Sequence, residues 1–176
     1  MAAGHIESYA GGMNALPIPL TVNRLTVVRA GNRGALALLD DAADLALTGP
    51  LRVLDGGNCI NIYPLARALR RRTAALSTAL SNVRLSRAFT CYQMLALLTE
   101  TPADGLPTLV LDLLGTFYDE SVPLYETQRL LRQAILELLR LRAGGRLTVS
   151  ARPPGQLAAN RQPLYETLLS VAEELR

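Results

Sequence analysis

The side chains able to do chemistry in this chain are few, and their types narrow the reactions open to it. All 18 basic residues are arginine. Schiff bases, lysine general bases and phosphate binding by a lysine ammonium are therefore excluded. His5 is the single histidine and falls in the N-terminal tail, which argues against Ser-His-Asp or Cys-His catalysis and against a histidine-based zinc site. Cys59 and Cys91 are too far apart for a local metal knuckle and too few for a disulfide framework, so they read as buried, inert thiols. Three groups remain. Gly31, Arg33 and Gly34 lie before a helix-forming run, where free N–H groups and the positive end of a helix dipole attract an anion. Asp55, Gly57 and Asn58 form a tip after a short apolar run, and Asp112 closes another.

The arginines are the other candidates. Arg67, Arg70, Arg71 and Arg72 crowd the end of a helix, and Arg152 and Arg161 flank a polar stretch. These six are the DNA-binding candidates, against the alternative that the first four simply complement a helix C-terminus. The stretch 152–161 contains no aromatic for base stacking, and 115–123 is acidic, with Asp119 and Glu120. A net charge of +3 is too mild to establish a nucleic-acid partner by itself.

The elements that must position these residues alternate. Residues 25–29 read as a strand, 30–34 as a turn and 35–47 as a helix stopped by Gly49-Pro50. The pattern continues with strands at 51–55, 82–88, 106–114 and 146–150, and helices at 64–72, 92–100 and 124–143. Such alternation predicts an α/β fold with a mainly parallel five-stranded sheet and helices on both faces. Its working edge lies beyond the carboxyl ends of the strands, which gathers 31–34, 55–58, 87–91, 113–119 and 150–152. Phe117 and Tyr118 read as closing the core edge. A flexible arm is expected over 1–23, a core domain over 24–152, and a loop with a C-terminal helix over 153–176. Pro-Leu-Tyr-Glu-Thr occurs at 123–127 and again at 163–167, which reads as a shared way of starting a helix. Hydrophobic residues make up 49% of the chain, yet no apolar run is long enough to span a membrane. The start lacks the features of a signal peptide, so cytoplasm is the expected compartment.

Together these segments resemble the ATPase core of RecA and its archaeal and eukaryotic recombinase relatives, over approximately 25–150. The most specific stretch is Asn82-Val-Arg-Leu-Ser-Arg-Ala-Phe-Thr-Cys-Tyr-Gln-Met-Leu-Ala-Leu-Leu98, similar to the family's third strand and following helix. Pro107-Thr-Leu-Val-Leu-Asp112 looks like the Walker B strand, which would make Asp112 the residual metal-side aspartate. Val53-Leu-Asp55 with Gly56-Gly57-Asn58 is similar to the second strand and its acidic tip. Departures fall on the catalytic positions. The P-loop lysine position holds Ala35, the hydroxyl position Leu36, and the place of the water-activating glutamate Gly57. Phosphoryl transfer depends almost wholly on placed charge, so these losses imply a silent domain.

The resemblance therefore implies a catalytically inactive RecA-like accessory in DNA recombination or repair. Its partner would be a RecA-like protein or a second copy of itself, with single-stranded DNA as a further partner and no membrane. No confident catalytic residue, metal or cofactor follows. Asp112 is more readily a structural residue that bonds neighbouring loop amides. Two alternatives stay open: a divergent ATP-binding protein or weak ATPase using Arg33 and Asp112 with Mg²⁺, and an interaction module with no nucleic-acid role.

Overall fold

The computed structural model describes residues 25–29, 32–58, 60–172 and 174–175. The arm expected over 1–23 lies outside them, as do Gly31 and Cys59. Strands β1 (Leu25–Arg29), β2 (Leu51–Asp55), β3 (Val83–Arg87), β4 (Thr108–Leu111), β5 (Leu147–Ala151) and β6 (Glu174–Leu175) form one sheet in the order β3-β2-β4-β5-β1-β6. Every pairing is parallel. The helices are α1 (Asn32–Thr48), α2 (Ile62–Arg70), α3 (Leu76–Ser81), α4 (Cys91–Glu100), α5 (Leu124–Gly144) and α6 (Gln162–Ser170).

Side-chain alternation along the strands sorts the core into two layers. Leu51 and Val53 of β2 and Leu109 and Leu111 of β4 pack beneath α1, α2 and α3. Leu54, Val110 and Val149 point the other way, beneath α4, α5 and α6. β2, β4 and β5 are buried along their whole length, which explains the nearly unbroken apolar run of β4, while β2 and β5 bury Arg52, Asp55, Thr148 and Ser150 as well. β3 is the sheet edge, and four of its five residues are exposed.

Several boundaries differ from the sequence expectation. α1 starts at Asn32, three residues early, so only residues 30 and 31 separate it from β1. The strand expected over 106–114 ends at Leu111, because Asp112 takes a left-handed backbone conformation with φ 47°. The final helix stops at Ser170, and Glu174–Leu175 instead pairs with β1 as a sixth strand. A two-residue strand has too few side chains to show a period of two, and it follows directly on a helical pattern.

Near the amino ends of the strands, Arg52 Nη1 donates to Asp104 Oδ1 at 2.7 Å and to the carbonyl of Pro102 at 3.3 Å. This bonding holds the Asp104 carboxyl well below the usual carboxylate range. A carboxyl with a depressed folded pKa contributes stability above its unfolded pKa of about 4 and loses it as pH falls. The thermal midpoint is expected to drop as pH is lowered from about 5 to about 3, and Arg52→Ala to flatten that dependence. Identical acid sensitivity in both proteins would show that the pair does not couple protonation to folding.

Candidate functional site

The chain leaves β2 toward β3 on one side and leaves β4 toward β5 on the other, so the connections diverge between β2 and β4. Open parallel sheets bind ligands in the crevice that such a divergence creates beyond the strand ends. A crevice of about 420 Å³ lies there, lined by Gly56, Gly57 and Asn58 from the β2 side, Phe89 after β3, and Thr116, Tyr118 and Asp119 after β4.

Asp55 organises the β2 lip. Its carboxylate is fully buried and accepts from the N–H groups of Gly57 at 3.3 Å and Ile60 at 3.0 Å, and from Arg87 Nε at 3.0 Å. Arg87 also donates to the carbonyl of Ile60 at 3.1 Å. Asp55 and Arg87 stand at matching positions of β2 and β3, so the pair locks the loop at the sheet edge. Asn58 follows with φ 50°, in the left-handed region that asparagine tolerates.

Asp112 lies behind the glycines. Its Oδ2 pairs with Arg152 Nε at 2.9 Å, and its own N–H donates to Ser150 Oγ at 2.8 Å. Arg152 thus holds Asp112 both through its guanidinium and through its backbone N–H. Burial pushes the Asp112 carboxyl up, against the pull of Arg152, and the negative charge of Asp55 adds to the rise. A Cβ on Gly57 would stand 2.7 Å from Asp112 Cγ and closer still to its Cβ and Oδ2. On Gly115 it would meet Oδ2 at 2.9 Å. The space that a side chain at position 57 needs is thus filled by Asp112.

The lip beyond β3 is set by α4. Thr90 is its N-cap and accepts from Gln93 N at 3.1 Å, while Gln93 Oε1 accepts from Phe89 N at 2.8 Å. This reciprocal capping holds Phe89 at the crevice with 65% of its surface exposed. Phe117 is fully buried, as expected of a core-edge residue. Tyr118 is half-buried and donates to the carbonyl of Arg152 at 2.7 Å, with its phenol pKa raised by burial. Asp119 is exposed and accepts from Ser121 N at 2.9 Å, and bonding at Ser121 keeps its carboxyl below the usual range. Thr116 and Asp119 fall within 113–119, the stretch expected on the working edge, although nothing in the sequence distinguishes these two residues within it. A Thr four residues after a strand-end Asp carries no distinctive spacing.

The arginine candidates divide. Arg67, Arg70 and Arg71 are exposed at and just past the end of α2. Arg72 turns back instead, bonding the Ala68 carbonyl, Asp44 at 2.8 Å and Asp40 at 3.3 Å. Arg152 is engaged by Asp112. Arg161 is a correction: it is 2% exposed and donates to Thr127 Oγ1 at 2.8 Å and to the carbonyls of Val122 at 2.7 Å and Asp119 at 3.2 Å. A guanidinium enclosed in this way cannot reach a phosphate. Arg33 and Gly34 fall in the first turn of α1.

The donor set does not fit Mg²⁺ with ATP. Magnesium requires near-octahedral oxygen ligation, and the guanidinium of Arg152 on one Asp112 oxygen opposes a dication at the other. Among the described residues no group of three His, Cys, Asp or Glu could hold a metal, and no helix is long and apolar enough to cross a membrane. No family model matches the chain, and no curated protein sequence matches it.

Proposed function

We propose that the chain is a catalytically silent RecA-like domain that serves as an accessory in DNA recombination or repair by docking a RecA-like partner. The observation that carries the reading is the edge strand β3, which among the described residues pairs only with β2. Ala88 N donates to the carbonyl of Asp55 and Leu51 N to that of Asn82. With the register of β2 and β3, this turns the backbone groups of even-numbered β3 residues toward β2. Val83, Leu85 and Arg87 then direct theirs outward. An unpaired, twisted edge of this kind adds a strand from another chain. Leu85, 40% exposed, supplies an apolar side chain beside it.

The silent half of the reading is supported by the filled space at Gly57 and by the Asp112–Arg152 pair. For single-stranded DNA, the exposed basic surface offered by the arginine candidates reduces to Arg67, Arg70 and Arg71.

Leu85→Pro is the test. Proline at an outward-facing edge position removes one outward donor and leaves the internal ladder intact. The purified chain is expected to bind a RecA-class recombinase core, or itself, in sedimentation velocity, with at least tenfold weaker association for Leu85→Pro at unchanged circular dichroism. Association that ignores the substitution would overturn the edge as the docking surface. Single-stranded DNA binding is expected to weaken with salt, and Arg67→Ala, Arg70→Ala and Arg71→Ala together to reduce the slope of log K against log salt by roughly 2. A slope near zero in the unaltered chain would remove DNA from the reading.

A further inference from the structure

The geometry points to the β2–β4 crevice as a site for a guanidinium group, on a surface separate from the β3 edge. Thr116 lines the crevice, is only 9% exposed, and its Oγ1 has no hydrogen-bond partner. A buried, unpartnered hydroxyl is costly and rare in a folded protein, and this one belongs to a residue of the crevice wall. Asp119 is the only charged residue among the described residues that line the crevice. Its Oδ1 takes the Ser121 N–H, and the Ser121 side chain bonds the same carboxylate and holds it ionised; an exposed carboxylate has about four acceptor sites, so capacity for a ligand's donors remains.

Among the described residues, Arg161 acts on this charge through space, but no arginine is shown bonding the Asp119 carboxylate. Arg87 is paired with Asp55 and Arg152 with Asp112, while Arg161 is enclosed by carbonyl oxygens and Thr127. The crevice therefore disfavours a phosphate and favours a cation. Phe89 contributes an exposed ring to the same wall. A planar guanidinium can stack on such a ring while its fork of N–H donors reaches Asp119 and Thr116. An ammonium is compact and strongly hydrated, and it lacks the flat face that Phe89 can cover. The guanidinium can arrive as free arginine or as an arginine side chain of another polypeptide, including a second copy of this lysine-free chain.

The test is titration of the full ¹⁵N-labelled chain at constant ionic strength with N-acetylarginine amide, N-acetyllysine amide, free arginine and the capped tripeptide Gly-Arg-Gly. Both N-acetylarginine amide and the tripeptide are expected to shift the amides of Gly57, Thr116 and Asp119 saturably, with the lysine probe at least tenfold weaker. Asp119→Asn is expected to weaken binding at least tenfold, and Phe89→Ala about fivefold. Because Asp119 also orders the turn at Ser121, Thr116→Val is the second variant and is expected to weaken binding at least threefold with the turn intact. Tighter binding of the tripeptide assigns the site to a polypeptide arginine, and tighter binding of free arginine assigns it to the amino acid. Absence of saturable shifts from every guanidinium probe, equal binding of the lysine probe, or binding undiminished in both Asp119→Asn and Thr116→Val would each overturn the site. None of these outcomes depends on a partner docking at β3.

Discussion

Gly57→Ala is expected to destabilise the fold by about 2–3 kcal/mol, the usual cost of forcing a methyl group into filled space. The added Cβ would meet the Cβ, Cγ and Oδ2 atoms of Asp112, all within 2.7 Å. These atoms belong to a side chain pinned by Arg152 and by its own left-handed backbone, so they cannot move aside freely. Gly57 itself is not among the positive-φ glycines, so backbone strain does not contribute. The cost should therefore vanish with the obstacle: in an Asp112→Gly background, which removes Cβ, Cγ and Oδ2 together at a left-handed position that glycine tolerates, Gly57→Ala is expected to cost less than about 1 kcal/mol. Urea unfolding of the four proteins of this double-mutant cycle measures the coupling. Additive effects would mean that Asp112 does not fill the space beside Gly57. The same contact bears on catalysis, since a glutamate at position 57 would have to displace Asp112 before it could approach a water.

Arg161→Leu is expected to cost about 3 kcal/mol. Removing this guanidinium strips its donors from Thr127 Oγ1 and from the carbonyls of Asp119 and Val122. Thr127 Oγ1 and the Val122 carbonyl lose this donor at about 1 kcal/mol or more each, the Asp119 carbonyl keeps the Val122 N–H, and the lost packing of an enclosed side chain adds to the cost. Segment 119–123, which the guanidinium ties to α5 and to the start of α6, should lose hydrogen-exchange protection first. Arg70→Ala, at an exposed position on α2, is expected to fall within about 0.5 kcal/mol of the unaltered protein. Equal, small effects of the two substitutions would return Arg161 to the surface candidates.

These contrasts show where sequence reading reaches its limit. The strands at 25–29 and 51–55 and the long stripe of α5 follow from local pattern alone, and their observed positions agree closely. The α/β class with a mainly parallel sheet follows from the same pattern, and every observed pairing is parallel, although the sheet has six strands where five were expected. The short helix Leu76–Ser81 was missed because six residues of Leu, Ser, Thr and Ala display no apolar stripe. The helix at 92–100 follows from local pattern, and its Thr90 and Gln93 caps are legible as T-x-x-Q. Strand order carries no local signature, and so neither does the divergence between β2 and β4 that makes the crevice. The fates of the arginines were equally hidden. Arg152 finds Asp112, 40 positions earlier in the chain, and Arg161 finds Thr127 across 34. Their charges looked alike in sequence, while burial separated one from the solvent entirely.

The missing lysine gains meaning from this arrangement. Arginine does take over charge pairing in the fold, with Arg87, Arg152 and Arg52 each holding an aspartate. None of these pairs leaves an aspartate and a cation free to grip a phosphate between them. The most direct measurement is release of inorganic phosphate from ATP and Mg²⁺ by the full chain, beside Arg33→Ala and Asp112→Ala. Release indistinguishable from the protein-free blank in all three is the expected result. Turnover in the unaltered chain that is lost in Arg33→Ala or Asp112→Ala would contradict catalytic silence and establish a divergent ATPase instead.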